Sequence, residues 1–217
     1  MSGLVIHQSN HVESLAEALV NELSIYNRDP LTPVTIVVQS RGMERWLSIE
    51  LAQRMGLIAN ARFPFPNTIL NEIFSAIIPD AAQSNLFGGE SLTFRAIKTL
   101  QDCLDEEAFA PLKEYISKSD DDLRRFQLCQ KIAGMYDQLA TFRPEQIRAW
   151  DQGNFDSWHG SLWHRLFDDA ERQTHRPALF HQFTEQIKAL QGPLTGIPAK
   201  LFIFGISTLP KLHLEVL

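Results

Sequence analysis

The apolar positions of this chain change period several times, and each change marks an element boundary. Leu4-Val5-Ile6-His7 is a short apolar run closed by Gln8-Ser9-Asn10, after which Val12, Leu15, Ala16, Leu19, Val20 and Leu23 recur three and four residues apart. That pattern predicts a strand, a loop and an amphipathic helix, with Asn10 and Glu13 in the form of a capping box. Val34-Thr35-Ile36-Val37-Val38 is β-branched throughout and lacks polar alternation. A strand buried on both faces of a parallel sheet reads this way, so this run is expected to be central. The composition turns polar at Gln39-Ser40, Ser40 can accept from amides two or three residues on, and apolar residues return at helical spacing from Met43. A helix therefore begins there, which puts Gln39 and Ser40 at the carboxyl edge of the sheet, where open α/β folds bind ligands.

Gly56-Leu57-Ile58-Ala59-Asn60 is expected to form a further strand. In Phe63-Pro64-Phe65-Pro66 each proline holds its predecessor extended, so two rings are carried on a stiff segment. Buried packing and base stacking are both open to them. From Asn67 to Leu190 the period is helical. One helix carries Ile69, Leu70, Ile73, Phe74 and Ile77, and a second Leu92, Ala96, Leu100, Cys103 and Leu104. A long one over Asp122 to Phe142 has Phe126, Cys129, Ala133, Tyr136, Leu139 and Ala140 toward a core, and further helices run over Trp158 to Glu171 and Leu179 to Leu190. Leu201-Phe202-Ile203-Phe204 restores a buried strand pattern after the turn residues Gly192 to Pro198.

The expected architecture is α/β, with Leu4 to His7, Val34 to Val38 and Leu201 to Phe204 as neighbours in one mainly parallel sheet. Residues 1–67 and 191–217 would form the α/β domain, and residues 68–190 an all-helical subdomain inserted in it. The chain stops within Leu209 to Leu217 while a helix is starting, so the natural protein is expected to be longer.

Composition narrows the function. At 217 residues and 44% apolar content the chain can bury a substantial core. A net charge of −6 argues against a broad basic face gripping duplex DNA, but leaves room for a local strand-binding groove. Arg41, Arg45, Arg54 and Arg62 stand against Glu44 and Glu50 between positions 41 and 62; a solvated face with Arg41 and Arg45 paired to Glu44 or Glu50 explains this as readily as phosphate contacts do. No run reaches the roughly 18 apolar residues of a membrane span, and the N-terminus has no signal-peptide pattern, so a cytoplasmic location and no membrane association are expected. Cys103 and Cys129 read as reduced core thiols.

The expected chemistry is largely negative. A phosphate loop needs glycines and a lysine, and His7 to Ser14 contains neither; a later strand end should carry a carboxylate for Mg²⁺, and Phe204-Gly205-Ile206-Ser207 carries none. The histidine pairs His7 with His11 and His159 with His164 lack Cys or carboxylate partners at ligand spacing. Gly205-Ile206-Ser207-Thr208-Leu209 lacks the second glycine of a nucleophile elbow. No catalytic residue, metal or cofactor is expected.

Five collinear blocks carry a resemblance: Ile6 to Asn10, Val37 to Leu47, Ala59 to Pro66, Tyr136-Asp137-Gln138 with Arg143-Pro144, and Phe202 to Pro210. Together they resemble the N-terminal part of the RecC family, the gamma subunits of exodeoxyribonuclease V, with Gln39-Ser40-Arg41-Gly42-Met43-Glu44-Arg45-Trp46-Leu47 as the most specific block. The resemblance implies a superfamily 1 helicase-like, P-loop NTPase-like sheet that has lost its ATPase motifs, with a helical subdomain inserted. It implies a non-catalytic DNA-guiding and scaffold subunit that channels the 3′-ended single strand and contributes to Chi-type signal recognition. The implied partners are the motor-nuclease (beta) and second helicase (alpha) subunits, and single-stranded and forked DNA. Carried to matching positions, the implied DNA-binding residues are Gln39, Arg41, Arg45, Phe65, Asn71, Asp137, Gln138, Arg143 and Arg176. The chain departs from the familiar pattern where Arg41 replaces Thr, Arg45 replaces Gln, Asn71 replaces Trp, and Gly134-Met135 replace Asp-Leu. The competing readings are an α/β phosphotransferase with an atypical phosphate loop, and an assembly module that never touches DNA.

Overall fold

A computed structural model describes residues 3–26, 33–78, 87–118, 122–189 and 196–217. The elements in chain order are α1 (Val12–Tyr26), β1 (Val34–Val37), α2 (Arg41–Met55), β2 (Ala61–Arg62), α3 (Pro66–Ile77), α4 (Gly89–Cys103), α5 (Ala110–Ser117), α6 (Asp122–Phe142), α7 (Pro144–Asp151), α8 (Trp158–Leu166), α9 (Arg176–Ala189), β3 (Leu201–Ile203) and α10 (Lys211–Val216). The protein is mixed α/β and mostly helical. It divides into two compact units, residues 1–73 with 195–209 and 217, and residues 74–194 with 210–216. The segment Pro210–Val216, read from sequence with the α/β part, thus groups with the helical unit.

In the first unit the sheet is parallel, ordered β2-β1-β3. Val34 pairs with Ala61 and Thr35 with Arg62 on one side; Thr35, Ile36 and Val37 pair with Leu201, Phe202 and Ile203 on the other. All four β1 residues are buried, which is the physical reason its pattern shows no polar alternation. Ala16, Leu19 and Leu23 of α1 and Leu47 and Leu51 of α2 form the core with Val34, Ile36, Val38, Phe202 and Phe204. Trp46 stacks on Phe204 at 6.1 Å and Tyr26 meets Phe202 edge-on at 6.0 Å.

Two strand expectations need correction here. Leu4 to His7 is not in the sheet, and Leu4, Val5 and Ile6 are 84%, 69% and 68% exposed. Both edges of β1 are taken by β2 and β3, so no central place is left for this run. Gly56 to Asn60 is a turn, because Gly56 (φ 77°) ends α2 and Asn60 (φ 57°) is also left-handed. The strand is Ala61–Arg62 instead, its ladder extended by Val34 N donating to Asn60 O and Val38 N to Pro64 O, both at 3.1 Å. Ahead of α1, the hydrogen bond at the turn runs from His11 N to Ser9 Oγ rather than through the expected Asn10 box.

The helical unit packs Leu92, Ala96, Leu100 and Cys103 of α4 with Cys129, Ile132, Ala133 and Tyr136 of α6 and Leu162, Trp163 and Leu166 of α8. Both thiols are buried, and burial pushes the Cys129 thiol up to about 11. Phe126, expected in this core, lies on the outer flank of α6 against Phe94, with the rings 6.3 Å apart and Phe94 64% exposed. Phe126 lies at the margin of the stripe through positions 129, 132, 133 and 136 and near the start of α6, where it meets α4 through Phe94 at the surface instead of in the core. The expected helix over Trp158 to Glu171 ends at Leu166, where Phe167 turns extended, and a 3₁₀ turn takes Glu171–Gln173.

Candidate nucleic-acid interface

The site is built at the carboxyl end of β1. Ser40 is extended (φ −153°, ψ 157°), its Oγ accepts from Met43 N at 3.2 Å, and its carbonyl accepts from Glu44 N at 3.0 Å. This N-cap starts α2 directly after the strand, so Arg41, Glu44, Arg45 and Ser48 fall three and four residues apart on one helix face, with Ile49 beside them. The facing wall is Phe63-Pro64-Phe65. Pro64 is buried and its carbonyl ties the wall to Val38, while the Phe65 carbonyl accepts from Thr68 N (2.9 Å) and Ile69 N (3.1 Å) and starts α3. Between helix face and wall runs an open groove of about 770 Å³, lined by Arg41, Glu44, Arg45, Ser48, Ile49, Phe63, Pro64, Phe65 and Thr68.

Charge pairing around this groove is selective. Glu50 is taken by Arg54 (2.6 Å), and Arg62 Nη2 donates to both Glu72 oxygens at 2.6 and 2.8 Å. Among the described residues, Arg41, Arg45 and the Glu44 carboxylate have no ion pair or side-chain hydrogen bond. Neither arginine pairs with Glu44 or Glu50. Ile49 is 51% and Phe65 37% exposed, so the groove offers to water two guanidiniums and one carboxylate with no partner among the described residues, and an apolar wall. Such a combination suits a ligand with both anionic and flat apolar parts.

Arg41, Arg45 and Phe65 thus come together, and Gln39 is exposed at the end of the same strand without lining the groove. Asn71 is half-buried one turn beyond Thr68, also outside the groove. The other sequence candidates lie in the helical unit. Asp137 and Arg176 line a cavity of about 30 Å³ with Phe87, Leu92, Tyr136, Ala140, Trp163 and His175, room for a single water. Arg176 Nη1 donates to Thr141 Oγ1 at 3.0 Å; burial lowers the guanidinium's pKa, and Asp137 opposes that shift. Gln138 is exposed beside Asp137, and Arg143 is exposed between α6 and α7, its amide bonded to Leu139 O at 2.8 Å.

His175, on the same cavity, has the look of an oriented base but its ring is committed on both sides. Its Nε2 lies 2.7 Å from Asp151 Oδ2, and its Nδ1 accepts from Ala178 N at 3.1 Å, which assigns the proton to Nε2 and makes His175 the cap of α9. Asp151 also accepts from Trp163 Nε1 at 2.8 Å. Glu44, Ser48, Ile49, Thr68 and Thr141 were not among the sequence candidates. The spacing along α2 carries a signal for Glu44 and Ser48; Thr68 and Thr141 come into place only through tertiary contact. No described helix is long and apolar enough to cross a membrane, and no group of three or more His, Cys, Asp or Glu among the described residues is placed to hold a metal.

Fold and groove define a mixed α/β protein whose small parallel sheet presents an arginine- and aromatic-lined groove at its carboxyl edge. A family model described as RecC, N-terminal domain, matches residues 4–217, and the chain belongs to that family. It is 31% identical over 245 residues to the RecBCD enzyme subunit RecC of Haemophilus influenzae and 30% identical over 227 residues to that of Escherichia coli K12, covering 98% and 99% of this chain. The Mycolicibacterium smegmatis subunit is 26% identical over 222 residues and covers 99% of it. The chain spans about a fifth of the length of these relatives, 22%, 20% and 20% respectively.

Proposed function

We propose that this chain is a non-catalytic, strand-guiding part of a cytoplasmic DNA-processing helicase-nuclease, in which the groove between α2 and Phe63-Pro64-Phe65 carries single-stranded DNA. The observation that carries the reading is one groove holding two arginines, Arg41 and Arg45, unpaired among the described residues, opposite the exposed ring of Phe65. Guanidiniums one helical turn apart can take successive phosphates while a base stacks on the aromatic wall. A phosphate-loop enzyme finds no support at the corresponding place: His7 to Ser14 has neither Gly nor Lys and follows a segment outside the sheet.

The family relationship extends the proposal to a superfamily 1 helicase-like α/β domain, residues 1–67 and 191–217, with residues 68–190 inserted. Motor-nuclease and second helicase subunits are the proposed partners, and single-stranded and forked DNA the substrate. Gln39 and Asn71 near the groove, and Asp137, Gln138, Arg143 and Arg176 in the helical unit, are proposed to act in signal recognition along the same strand.

The test is oligonucleotide binding by the intact protein over a salt series. Arg41→Ala and Arg45→Ala should each reduce the magnitude of the salt slope by roughly 0.7 and weaken all sequences alike. Gln39→Ala should change base preference more than affinity, since an amide reads a base edge but neutralises no phosphate. Unchanged slopes for both arginine variants would remove the proposed role of the groove.

A further inference from the structure

Glu44 is an oddity in a groove offered to a polyanion. It stands between Arg41 and Arg45 on the same face of α2, is half-buried, and lines the groove with them. The neighbouring hydroxyl of Ser48 donates at 2.8 Å to the Glu44 backbone carbonyl and leaves the carboxylate alone. A solvated surface acid of this kind would ordinarily take one of the two adjacent arginines, yet among the described residues neither is paired with it. The carboxylate is therefore an acceptor-only group with no partner among the described residues, lining the same groove as the Phe63-Pro64-Phe65 wall.

We infer that Glu44 reads a base, and that the base it selects is guanine. The inference rests on the groove being a single-strand site. A carboxylate repels phosphate, so a strand in the groove is held with phosphates toward Arg41 and Arg45 and with the base between Glu44 and Phe65. Guanine presents N1–H and N2–H side by side on its Watson–Crick edge, the donor pair a carboxylate accepts with both oxygens. Adenine and cytosine place an amino group next to a ring nitrogen whose lone pair the carboxylate repels, and thymine has one N–H flanked by two carbonyls. Inosine keeps N1–H and lacks the exocyclic amine, so it isolates half of the contact.

The test uses the intact protein and short thymidine oligonucleotides that carry one guanine, one 7-deazaguanine, one inosine or no replacement, in competition at fixed salt. The wild type should bind the guanine and 7-deazaguanine strands equally and roughly tenfold more tightly than the inosine strand, the range expected of a bidentate base contact. Glu44→Gln and Glu44→Ala should equalise guanine and inosine while leaving the salt slope unchanged. The wild-type guanine-to-inosine comparison needs no variant to fold, and equal binding there overturns the inference, as does a preference that survives in Glu44→Ala. If binding is salt-sensitive through Arg41 and Arg45 but blind to the base, only the role of Glu44 falls. If salt-sensitive binding is absent, the groove reading falls and this inference with it.

Discussion

The arginines around α8 and those of the groove do opposite work. In the helical unit Arg95 bonds Leu166 O and both oxygens of Glu171 at 2.6 to 2.9 Å, and Arg165 bonds both oxygens of Glu106 at 2.5 and 2.9 Å and Cys103 Sγ at 3.2 Å. Arg172, 8% exposed, donates to the carbonyls of His164 and Phe167 at 2.6 Å and to Asp169. Arg95 and Arg165 spend their donors on groups 59 to 76 residues away and Arg172 on groups three to eight residues away, and together they fix the loops around α8. In the groove of the first unit Arg41 and Arg45 spend none on any described residue. A residue type by itself therefore says little about role. What separates a structural arginine from a ligand-facing one is whether its donors are already used.

The largest expected effect breaks this comparison from the structural side. Arg172→Ala leaves one buried and one partly buried carbonyl without their donor, at about 1–3 kcal/mol for the buried one and less for the other, so a loss of about 3 kcal/mol is expected. The exposed Asp169 partner adds little, since ion pairs in water contribute about 0–1 kcal/mol. Arg45→Ala, which breaks no hydrogen bond or ion pair among the described residues, should change stability by less than about 0.5 kcal/mol. Denaturant unfolding of the two variants side by side measures both, and a comparable loss in each would end the distinction drawn here.

A smaller effect sharpens the comparison from the groove side. Ser40→Ala removes the cap that satisfies Met43 N and should cost about 1 kcal/mol. Because Arg41, Glu44 and Arg45 occupy the turn it holds, fraying there should weaken strand binding while leaving the salt slope as in the wild type, since all charges remain. A reduced slope in Ser40→Ala would mean that the hydroxyl itself takes part in a phosphate contact.

What could be read from sequence follows how local each cause is. Val34 to Val38 and the Ser40 cap are legible because burial on two faces and a hydroxyl before a helical period each leave their mark within a few residues. Arg41 and Arg45 share a face by spacing alone, and the prolines around Phe65 announce a stiff wall. Leu4 to His7 is misread because an apolar run states a preference for burial without naming a partner, and β1 has both edges filled. Phe126 is misread because it sits at the margin of a stripe whose orientation depends on α4. That the wall at Phe65 faces α2 rests on the Val38-to-Pro64 hydrogen bond, and the contact of Arg176 with Thr141 spans 35 residues, so neither could be found by local pattern.

The smallest expected effect separates the units by titration. His159 and His213, both in the helical unit, have pKa values lowered by burial, His213 further by the nearby Arg176 charge. A histidine that binds its proton less readily folded than unfolded stabilises the fold fully above its unfolded value of about 6.5, and that contribution is lost as pH falls from there toward the folded value. Carboxylates such as Glu171, lowered mainly by its hydrogen bond from Arg95, and Glu106, lowered mainly by that from Arg165, begin to lose their contribution only as pH drops below about 4.5. Between these limits the two histidines are expected to contribute a loss. The thermal midpoint of the wild type should therefore fall between pH 7.5 and pH 5, and His159→Gln with His213→Gln should flatten that fall without altering the steeper decline at lower pH. A wild-type midpoint that is level or rising on acidification through this window would show that burial of the two rings does not control their protonation.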